Sequence, residues 1–307
     1  KAMIKHIFIT GGSGFIGSRL CTLLLEQGHQ ITILSRQAER VRTIWHDKIT
    51  VISQLTQLSD CPPPNWVINL AGEPIVDRPW TEKRKALLRN SRIALTKSLF
   101  GTLQQLPEQP DVIISGSAIG FYGDTGNNVV TESSPQGQGF AAELCHDWEQ
   151  VAQTHRHKNS RLCLLRTGVV IGTEGGMLKK VTLPFKLGLG GPLGNGQQWS
   201  SWIALDDICN LILFLAENQQ CEGVYNATSP NPITNATFTK ILGKVLKRPT
   251  LVPMPTFMLK AILGEASSLL LGSQRVLPQR AIEAGFTFEY PNIEPCLVNS
   301  FATKQSL

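Results

Sequence analysis

Three features are absent from this sequence of 307 residues. No run reaches the roughly 18 apolar residues of a membrane-spanning helix, so we expect no membrane partner. The seven cysteines form no C-x-x-C pair and show no metal-ligand spacing, so we expect no metal site and scattered, reduced thiols. No signal-peptide pattern is found, because the first apolar run has the length of a strand and leads into glycines. Together these absences predict a cytoplasmic protein.

The positive charge is not concentrated as it is in nucleic-acid-binding modules. The net charge is +6, yet most basic residues are dispersed along the chain. Two denser groups, within residues 36–42 and 83–92, have no interleaved aromatic residues. We therefore expect no nucleic-acid partner, and we expect a small-molecule substrate instead. A few of these cations remain available for an anionic cofactor or substrate.

The sequence does contain alternating strand-like and helix-like segments. This alternation predicts an α/β fold, a Rossmann-type doubly wound parallel sheet with helices on both faces. Strands are predicted at residues 5–10, 30–34, 50–52, 66–70, 111–115 and 162–166. Helices are predicted at residues 15–27, 81–106 and 140–155. The polar connection between the third and fourth strands ends in three prolines, which predicts no full helix there.

The character of the sequence changes after residue 172, where glycine-rich and proline-punctuated segments begin. Residues 205–216 have a helical pattern and residues 223–227 a strand pattern. We expect residues 1–175 to form a nucleotide-binding Rossmann domain, with residues 203–229 returning to it. Residues 176–202 and 230–300 are expected to form a smaller C-terminal, α-rich substrate lobe.

The segment T-G-G-S-G-F-I-G, residues 10–17, has the pattern of a dinucleotide-binding turn. It directly follows the apolar run at residues 7–9. Its glycines allow a tight turn, close approach of a phosphate, and close packing of the next helix on the strand. The predicted cofactor contacts here are Gly11, Ser13, Gly14, Phe15 and Ile16. The alternative is a turn in another kind of α/β protein.

The end of the second strand indicates which dinucleotide is bound. NAD-binding Rossmann proteins usually carry an acidic residue there, which holds the ribose 2′-hydroxyl. This chain has Ser35 and Arg36 instead, and a guanidinium attracts a 2′-phosphate. We therefore predict NADP(H) as cofactor. The alternative is that Arg36 is only a solvated residue at a strand end.

The fourth predicted strand ends in N-L-A-G, residues 69–72. Small residues at the carboxyl end of a central strand let the backbone line a cofactor. We therefore predict that Leu70, Ala71 and Gly72 contact the dinucleotide.

The glycine turn, Ser35-Arg36 and N-L-A-G follow one another along the chain. With these motifs in this order, the chain resembles members of the short-chain dehydrogenase/reductase superfamily, in its extended, epimerase-like branch. Further segments make the resemblance specific to an atypical group often labelled epimerase family protein, or sugar nucleotide epimerase-like. These segments are R-P-W at 78–80, N-S-R at 90–92, D-W-E at 147–149, R-T-G-V-V at 166–170, G-G-P-L-G-N-G-Q-Q-W at 190–199, G-E at 264–265 and G-F-T-F at 285–288. The resemblance implies NADP(H) binding and further cofactor contacts at Arg92 and Val169. No agreed reaction is associated with this group, so the resemblance implies none.

The proton relay of the superfamily, Tyr-x-x-x-Lys, is missing. Each of the three tyrosines has a residue other than lysine four positions later. The resemblance places Ala141 and Cys145 at the two relay positions. Ser117 corresponds to the serine or threonine that bonds the substrate oxygen, and Tyr122 follows closely. We predict both as catalytic residues. The alternatives are a satisfied turn hydroxyl for Ser117 and a packed aromatic for Tyr122.

Three functions are compatible with these residues. The first is an NADP(H)-dependent oxidoreductase or epimerase-like enzyme with a nonstandard acid and base, or none. The second is a binding protein that reports NADPH occupancy to a partner without catalysis. The third, less favoured, is a true sugar-nucleotide epimerase, because such enzymes normally use the missing Tyr/Lys pair.

Overall fold

The computed structural model describes residues 3–302, and one parallel sheet organises the first three quarters of that range. The strands are β1 (His6–Thr10), β2 (Gln30–Leu34), β3 (Thr50–Ile52), β4 (Trp66–Asn69), β5 (Val112–Ala118), β6 (Val129–Val130), β7 (Arg161–Thr167), β8 (Val169–Ile171), β9 (Trp199–Ser200), β10 (Trp202–Ala204), β11 (Gly223–Ala227), β12 (Ile233–Thr234) and β13 (Arg275–Val276). The helices are α1 (Phe15–Glu26), α2 (Ala38–Trp45), α3 (Glu82–Arg89), α4 (Leu95–Gln104), α5 (Phe140–His155), α6 (Gly176–Lys186), α7 (Leu205–Glu217), α8 (Asn235–Leu246), α9 (Thr256–Leu263), α10 (Ser268–Leu271), α11 (Gln279–Glu283) and α12 (Ile293–Ala302).

The central sheet has seven strands in the order β11-β7-β5-β4-β1-β2-β3. Every neighbouring pair is parallel, and the order reverses beside β1, as in a doubly wound sheet. The predicted Rossmann-type α/β fold is therefore confirmed. The six predicted strands of the first part of the chain all lie in this sheet, with ends that differ by three residues or fewer.

Apolar side chains on both faces of the strands hold the helices against the sheet. In β1, Ile7 and Ile9 face the cluster that includes Leu20 and Leu24 of α1. Phe8 points to the opposite face, where a second cluster gathers residues of α4 and α5. Because successive strand residues alternate between faces, an unbroken apolar strand is buried on both sides.

Two details of the helices differ from the predictions. The chain between β2 and β3 forms the helix α2, which was not predicted because Val41 is its one buried residue and most others are polar. The helix predicted at residues 81–106 is interrupted, since α3 and α4 are joined by a π-helical segment, Asn90–Ala94. Single π-turns inserted in α-helices are frequent at functional sites.

The later part of the chain contributes both to the sheet and to a separate apolar cluster. Strand β11 pairs with β7, and α7 packs against α1. Residues from α6, α8 and α12 form their own core, which includes Leu178, Leu242 and Leu297. Within residues 3–302, no helix is both long enough and apolar enough to span a bilayer. The division into a Rossmann domain and a lobe remains a prediction.

Close packing of α1 on the glycine turn leads to a first prediction. A Cβ atom on Gly17 would lie 2.2 Å from the Gly11 carbonyl oxygen, so we expect Gly17→Ala to lower the free energy of unfolding by about 1–3 kcal/mol. Gly101, in the middle of α4, has open space around it. Gly101→Ala is expected to be neutral or to stabilise by up to about 1 kcal/mol. Urea unfolding measures both, and equal effects would contradict the packing argument.

Candidate functional site

A groove of about 650 Å³ opens at the carboxyl ends of β1, β2 and β4. This is the edge of a doubly wound sheet at which ligands bind. Seven of the predicted cofactor residues line it: Gly11, Ser13, Gly14, Ser35, Arg36, Ala71 and Gly72. The fold thus brings together side chains and backbone from three separate strand ends.

The glycine turn presents bare backbone to this groove. Gly11 has a φ of +73°, and a Cβ there would lie 2.7 Å from the Leu70 carbonyl carbon. Helix α1 begins just after Gly14, which has no side-chain cap. Because the first N–H groups of a helix lack acceptors within it, they are available to an anion, and the helix dipole favours one. The turn therefore has the features of a phosphate cradle.

A short hydrogen-bond chain fixes the neighbouring strand end. The Thr10 hydroxyl donates to Asn69 Oδ1 over 2.6 Å and accepts from the Ala71 amide over 3.2 Å. Asn69 Nδ2 in turn donates to the hydroxyls of Thr96 and Ser115. These bonds join β1, β4, β5 and α4, so the floor of the groove is rigid.

At the end of β2, a cation projects over the groove. The Arg36 side chain is 87% exposed, and its Nη2 donates to Glu73 Oε1 over 2.8 Å. The Ser35 hydroxyl accepts from the Gln37 amide over 3.1 Å. At the end of β2 the groove therefore has a guanidinium, paired with Glu73, and a hydroxyl, where NAD-binding proteins present a carboxylate.

Arg92 projects from the π-helical segment and reaches the same strand end. Its Nη2 donates to the Glu73 carbonyl over 2.8 Å, and its guanidinium lies over the Trp148 ring. A Cβ on Gly72 would meet that guanidinium at 2.9 Å. Burial lowers the pKa of Arg92 below its usual value. Within residues 3–302 no carboxylate lies within ion-pair distance of the Arg92 guanidinium. Its positive charge is therefore available to an anion bound beside Gly72.

The remaining predicted cofactor residues lie around the groove rather than on its lining. The Phe15 ring packs against the glycines of the loop after β8, where a Cβ on Gly175 would be 2.7 Å from the ring. Ile16 and Leu70 pack against the core of the sheet. Val169 starts β8 and pairs with Trp202 of β10.

A second opening, which we call the lobe cavity, lies where α5 begins and has a volume of about 640 Å³. Its walls come from the start of α5, from α9 and from the segments around α10, and they include Trp80, Phe140, Ala141, Lys260 and Leu271. Trp80 and Phe140 contact edge to face, with ring centroids 5.0 Å apart. Ala141, at the tyrosine position of the relay according to the resemblance, is on this wall.

The two predicted catalytic residues meet in one buried network. Ser117 Oγ donates to Glu149 Oε2 over 2.6 Å, and Arg166 holds Glu149 through two bonds of 2.9 and 2.8 Å. Arg166 Nη1 also donates to the Tyr122 hydroxyl over 3.0 Å, and that hydroxyl donates to Asn226 Oδ1 over 2.7 Å. Both predicted hydroxyls therefore have protein partners. Neither residue is on the lining of the groove or of the lobe cavity.

The electrostatics of this network differ from those of a Tyr/Lys relay. Burial raises the pKa of Tyr122, and Arg166 only partly opposes the shift. Burial alone would lower the pKa of Arg166, but the hydrogen bonds and charge of Glu149 outweigh it and raise the pKa. Tyr122 is therefore protonated at neutral pH, whereas a relay tyrosine needs a lowered pKa.

Cys145 stands at the lysine position that the resemblance implies. It is buried in α5, and desolvation raises its pKa to about 11. A neutral thiol supplies no cation to a neighbouring hydroxyl. The position of the relay lysine therefore carries no cation that could lower the pKa of a neighbouring tyrosine.

Sequence reasoning did not predict Glu149, Arg166 or Asn226 as members of these sites. Glu149 and Arg166 lie in the D-W-E and R-T-G-V-V segments that supported the resemblance. Charged residues within apolar strands and helices were the available signal, since buried charges are almost always paired. Their separation of 17 residues gave no indication that they are partners.

The model of the NAD dependent epimerase/dehydratase family matches residues 7–228. This chain belongs to that family. A second model, a domain of unknown function (DUF1731), matches residues 254–300. The predicted resemblance to the epimerase-like branch is therefore confirmed.

Within the epimerase/dehydratase family, several proteins are similar to this chain over nearly its whole length. It is 39% identical over 297 residues to the chloroplastic epimerase family protein SDR39U1 homolog of Arabidopsis thaliana, covering 95% of this chain and 85% of the relative. It is 36% identical over 307 residues to epimerase family protein YfhF of Bacillus subtilis, covering 98% and 100%. The crystal structure of human epimerase family protein SDR39U1 (isoform 2) with NADPH superposes with a TM-score of 0.87 at 30% identity, covering 96% and 98%.

The buried Glu149–Arg166 pair leads to a second prediction. Glu149→Ala leaves the guanidinium buried without a counterion, so we expect the free energy of unfolding to fall by about 3–5 kcal/mol. Replacing both partners, as Glu149→Leu with Arg166→Met, should recover much of that loss. The exposed Glu108→Ala is a control expected to change the value by less than about 0.5 kcal/mol. Denaturant unfolding measures the free energy of unfolding of each variant. If Glu149→Ala leaves that value unchanged, the argument from the buried ion pair is contradicted.

Proposed function

We propose that this chain is an NADP(H)-dependent oxidoreductase or epimerase-like enzyme that acts on a small molecule in the lobe cavity. The observation that carries the cofactor assignment is the guanidinium of Arg36 at the end of β2, beside the glycine turn. A carboxylate there would repel a 2′-phosphate, whereas a guanidinium binds one through charge-assisted hydrogen bonds. The human relative crystallised with NADPH supports the same choice.

The residues present fit the dinucleotide. Gly11 lets the turn pass close to the backbone at the end of β4, where a Cβ would lie 2.7 Å from the Leu70 carbonyl carbon, and the uncapped start of α1 offers amides to the pyrophosphate. Ser13 and Gly14 lie on the same turn. The cation of Arg92 lies against Gly72, where it would compensate phosphate charge. We propose that Phe15, Ile16, Leu70, Ala71 and Val169 complete the binding surface from around this turn.

Nicotinamide cofactors supply a hydride equivalent when bound, and the protein's part is to orient and enclose the reacting groups. Here the aromatic wall formed by Trp80 and Phe140 would exclude water from a substrate. Ala141 leaves the place of the relay tyrosine without a proton donor. Positioning alone can supply a large part of a rate enhancement, so a slow reaction remains compatible with this site.

Ser117 and Tyr122 remain our catalytic candidates; neither lines the lobe cavity, so they would act through the buried network of Glu149 and Arg166. The Ser117 hydroxyl donates to a carboxylate that Arg166 neutralises, so its proton lies between partners of fixed geometry. The raised pKa of Tyr122 suits a donor rather than a base. If either residue takes part, Ser117→Ala or Tyr122→Phe should lower kcat while NADPH affinity is unchanged.

A second candidate is a non-catalytic sensor that reports NADPH binding to a partner. The observation that favours it is the contrast between a complete glycine turn and a site with Ala141 and Cys145 at the relay positions. Sugar-nucleotide epimerisation is the third and least favoured candidate. For all three, seven unpaired thiols, six of them buried, agree with a reducing, cytoplasmic location, which we propose.

The cofactor proposal is tested by the Arg36→Ala variant. We expect the NADPH dissociation constant to rise roughly 10- to 100-fold, because charge-assisted bonds to the 2′-phosphate are lost. Binding of NADH, which lacks that phosphate, should be unchanged. Isothermal titration with both dinucleotides measures the difference.

The matched control is Arg42→Ala, which removes the same charge from α2, because Arg36 lines the groove and Arg42 does not. Its NADPH affinity should stay within about twofold of the unaltered protein. If Arg36→Ala and Arg42→Ala weaken NADPH binding equally, or Arg36→Ala has no effect, Arg36 does not select the cofactor.

The catalytic proposal is tested by anaerobic mixing with NADPH and a panel of aldehydes, ketones, quinones and enones. We expect one class to cause loss of the NADPH absorbance. Silence across the panel, with tight NADPH binding and a partner captured in one redox state alone, would favour the sensor. Incubation with UDP- and GDP-sugars under NMR would reveal C4 inversion if the third candidate were correct.

A further inference from the structure

The C-terminal part of the chain carries exposed apolar side chains that line neither the groove nor the lobe cavity. Residues 3–302 contain fifteen exposed large hydrophobic side chains, and eight of these lie between residues 183 and 262. Helix α9 shows the effect most clearly, since Leu259 is its one buried residue while Phe257 is 72% and Ile262 58% exposed. Exposed large apolar side chains gathered on one part of a protein usually mark an interaction site.

The exposed segments are joined to one another. The Val252 amide donates to the Gly190 carbonyl over 3.1 Å, and Arg248 Nε donates to the Lys186 carbonyl over 2.8 Å. The chain then passes three residues before α9 begins at Thr256. We call these parts together, residues 183–190 and 247–262, the basic apolar face.

The chain segments that carry this face contain ionisable side chains of a single sign. Residues 176–202 and 230–264 contain eight lysines and arginines and no aspartate or glutamate. Because the whole chain has a net charge of +6, all other residues together carry −2. In the described part of the chain, Lys180 pairs with Asp77 and Lys244 with Glu294, while the other six cations have no carboxylate partner.

We propose that the basic apolar face docks on an anionic membrane surface. Protruding Phe, Leu and Ile side chains bordered by lysines are the features of proteins that lie in the bilayer interface, because apolar tips enter the acyl boundary and cations meet lipid phosphates. A fluid anionic surface satisfies scattered cations without matched partners. Contact at the surface needs no spanning helix, and it departs from the expectation of no membrane partner.

A second copy of the chain is the less suitable occupant. A two-fold contact would bring the same unpaired cations of both copies face to face, and like charges in an interface are repulsive. An acidic protein would need a pocket shaped for each protruding side chain. The proposal concerns this surface alone and does not depend on NADP(H) binding or on catalysis.

Vesicle co-sedimentation of the full chain tests the proposal. The probes are vesicles of phosphatidylcholine containing about one third phosphatidylserine, and vesicles of pure phosphatidylcholine. We expect binding to the anionic vesicles at low salt, weaker binding at high salt, and little binding to the neutral ones. No binding to the anionic vesicles at low salt would overturn the proposal.

Two double variants separate the apolar and electrostatic contributions. Phe257→Ser with Ile262→Ser should weaken partitioning at least roughly tenfold. Lys186→Glu with Lys247→Glu should weaken it by roughly 100-fold or more, since each reversal changes the charge by two. The matched controls are Val298→Ser, also half exposed, and Lys97→Glu with Lys158→Glu, which lie outside the basic apolar face.

The outcomes distinguish the possible occupants. Controls that lose vesicle binding as strongly as the face variants would overturn the proposal in favour of nonspecific charge attraction. Concentration-dependent dimers that Phe257→Ser with Ile262→Ser abolishes, without vesicle binding, would indicate a second copy. Retention on polyglutamate through the same residues, again without vesicle binding, would indicate an acidic protein. Unchanged NADPH titration and thermal melting confirm that each variant is folded.

Discussion

The contact between Gly17 and the Gly11 carbonyl is the constraint on which the nucleotide half of the molecule depends. With no side chain at residue 17, α1 can lie directly on the turn that ends β1. That position directs the uncapped first turn of α1 toward the groove and leaves bare backbone at Gly11. The phosphate cradle is therefore a consequence of the packing of α1 on the turn. A single methyl group at residue 17 would disturb both the packing and the cradle.

The interior behind the groove uses its charges differently from a relay of tyrosine and lysine. Glu149 and Arg166 neutralise one another in the core and hold the hydroxyls of Ser117 and Tyr122 between them. Such a network is costly to break on one side, because the remaining charge would be buried without a partner. Its hydrogen bonds link α5, β5 and β7 to one another. A strongly activated base is not part of this arrangement.

The groove and the basic apolar face also differ in how they present charge. Around the groove, each cation has a specific neighbour, as Arg36 has Glu73 and Arg92 has the Trp148 ring. On the basic apolar face, most cations have no carboxylate partner and lie among exposed apolar side chains. Paired charges select a geometry, whereas unpaired ones respond to any extended anionic surface. The first surface suits a dinucleotide and the second suits a membrane.

Local patterns in the sequence determined the sheet strands, the helices α1, α3, α4, α5 and α7, the glycine turn and the arginine at the end of β2. These features depend on side-chain periodicity, on glycine conformations and on spacing along the chain, all of which the sequence displays directly. The partnership of Glu149 with Arg166, the π-helical segment that directs Arg92, and the meeting of residues 183–190 with 247–262 were decided only by tertiary structure. Each of these three features brings together residues that are in contact only because helices, strands and loops pack in one particular way. Local periodicity in the sequence does not encode such contacts.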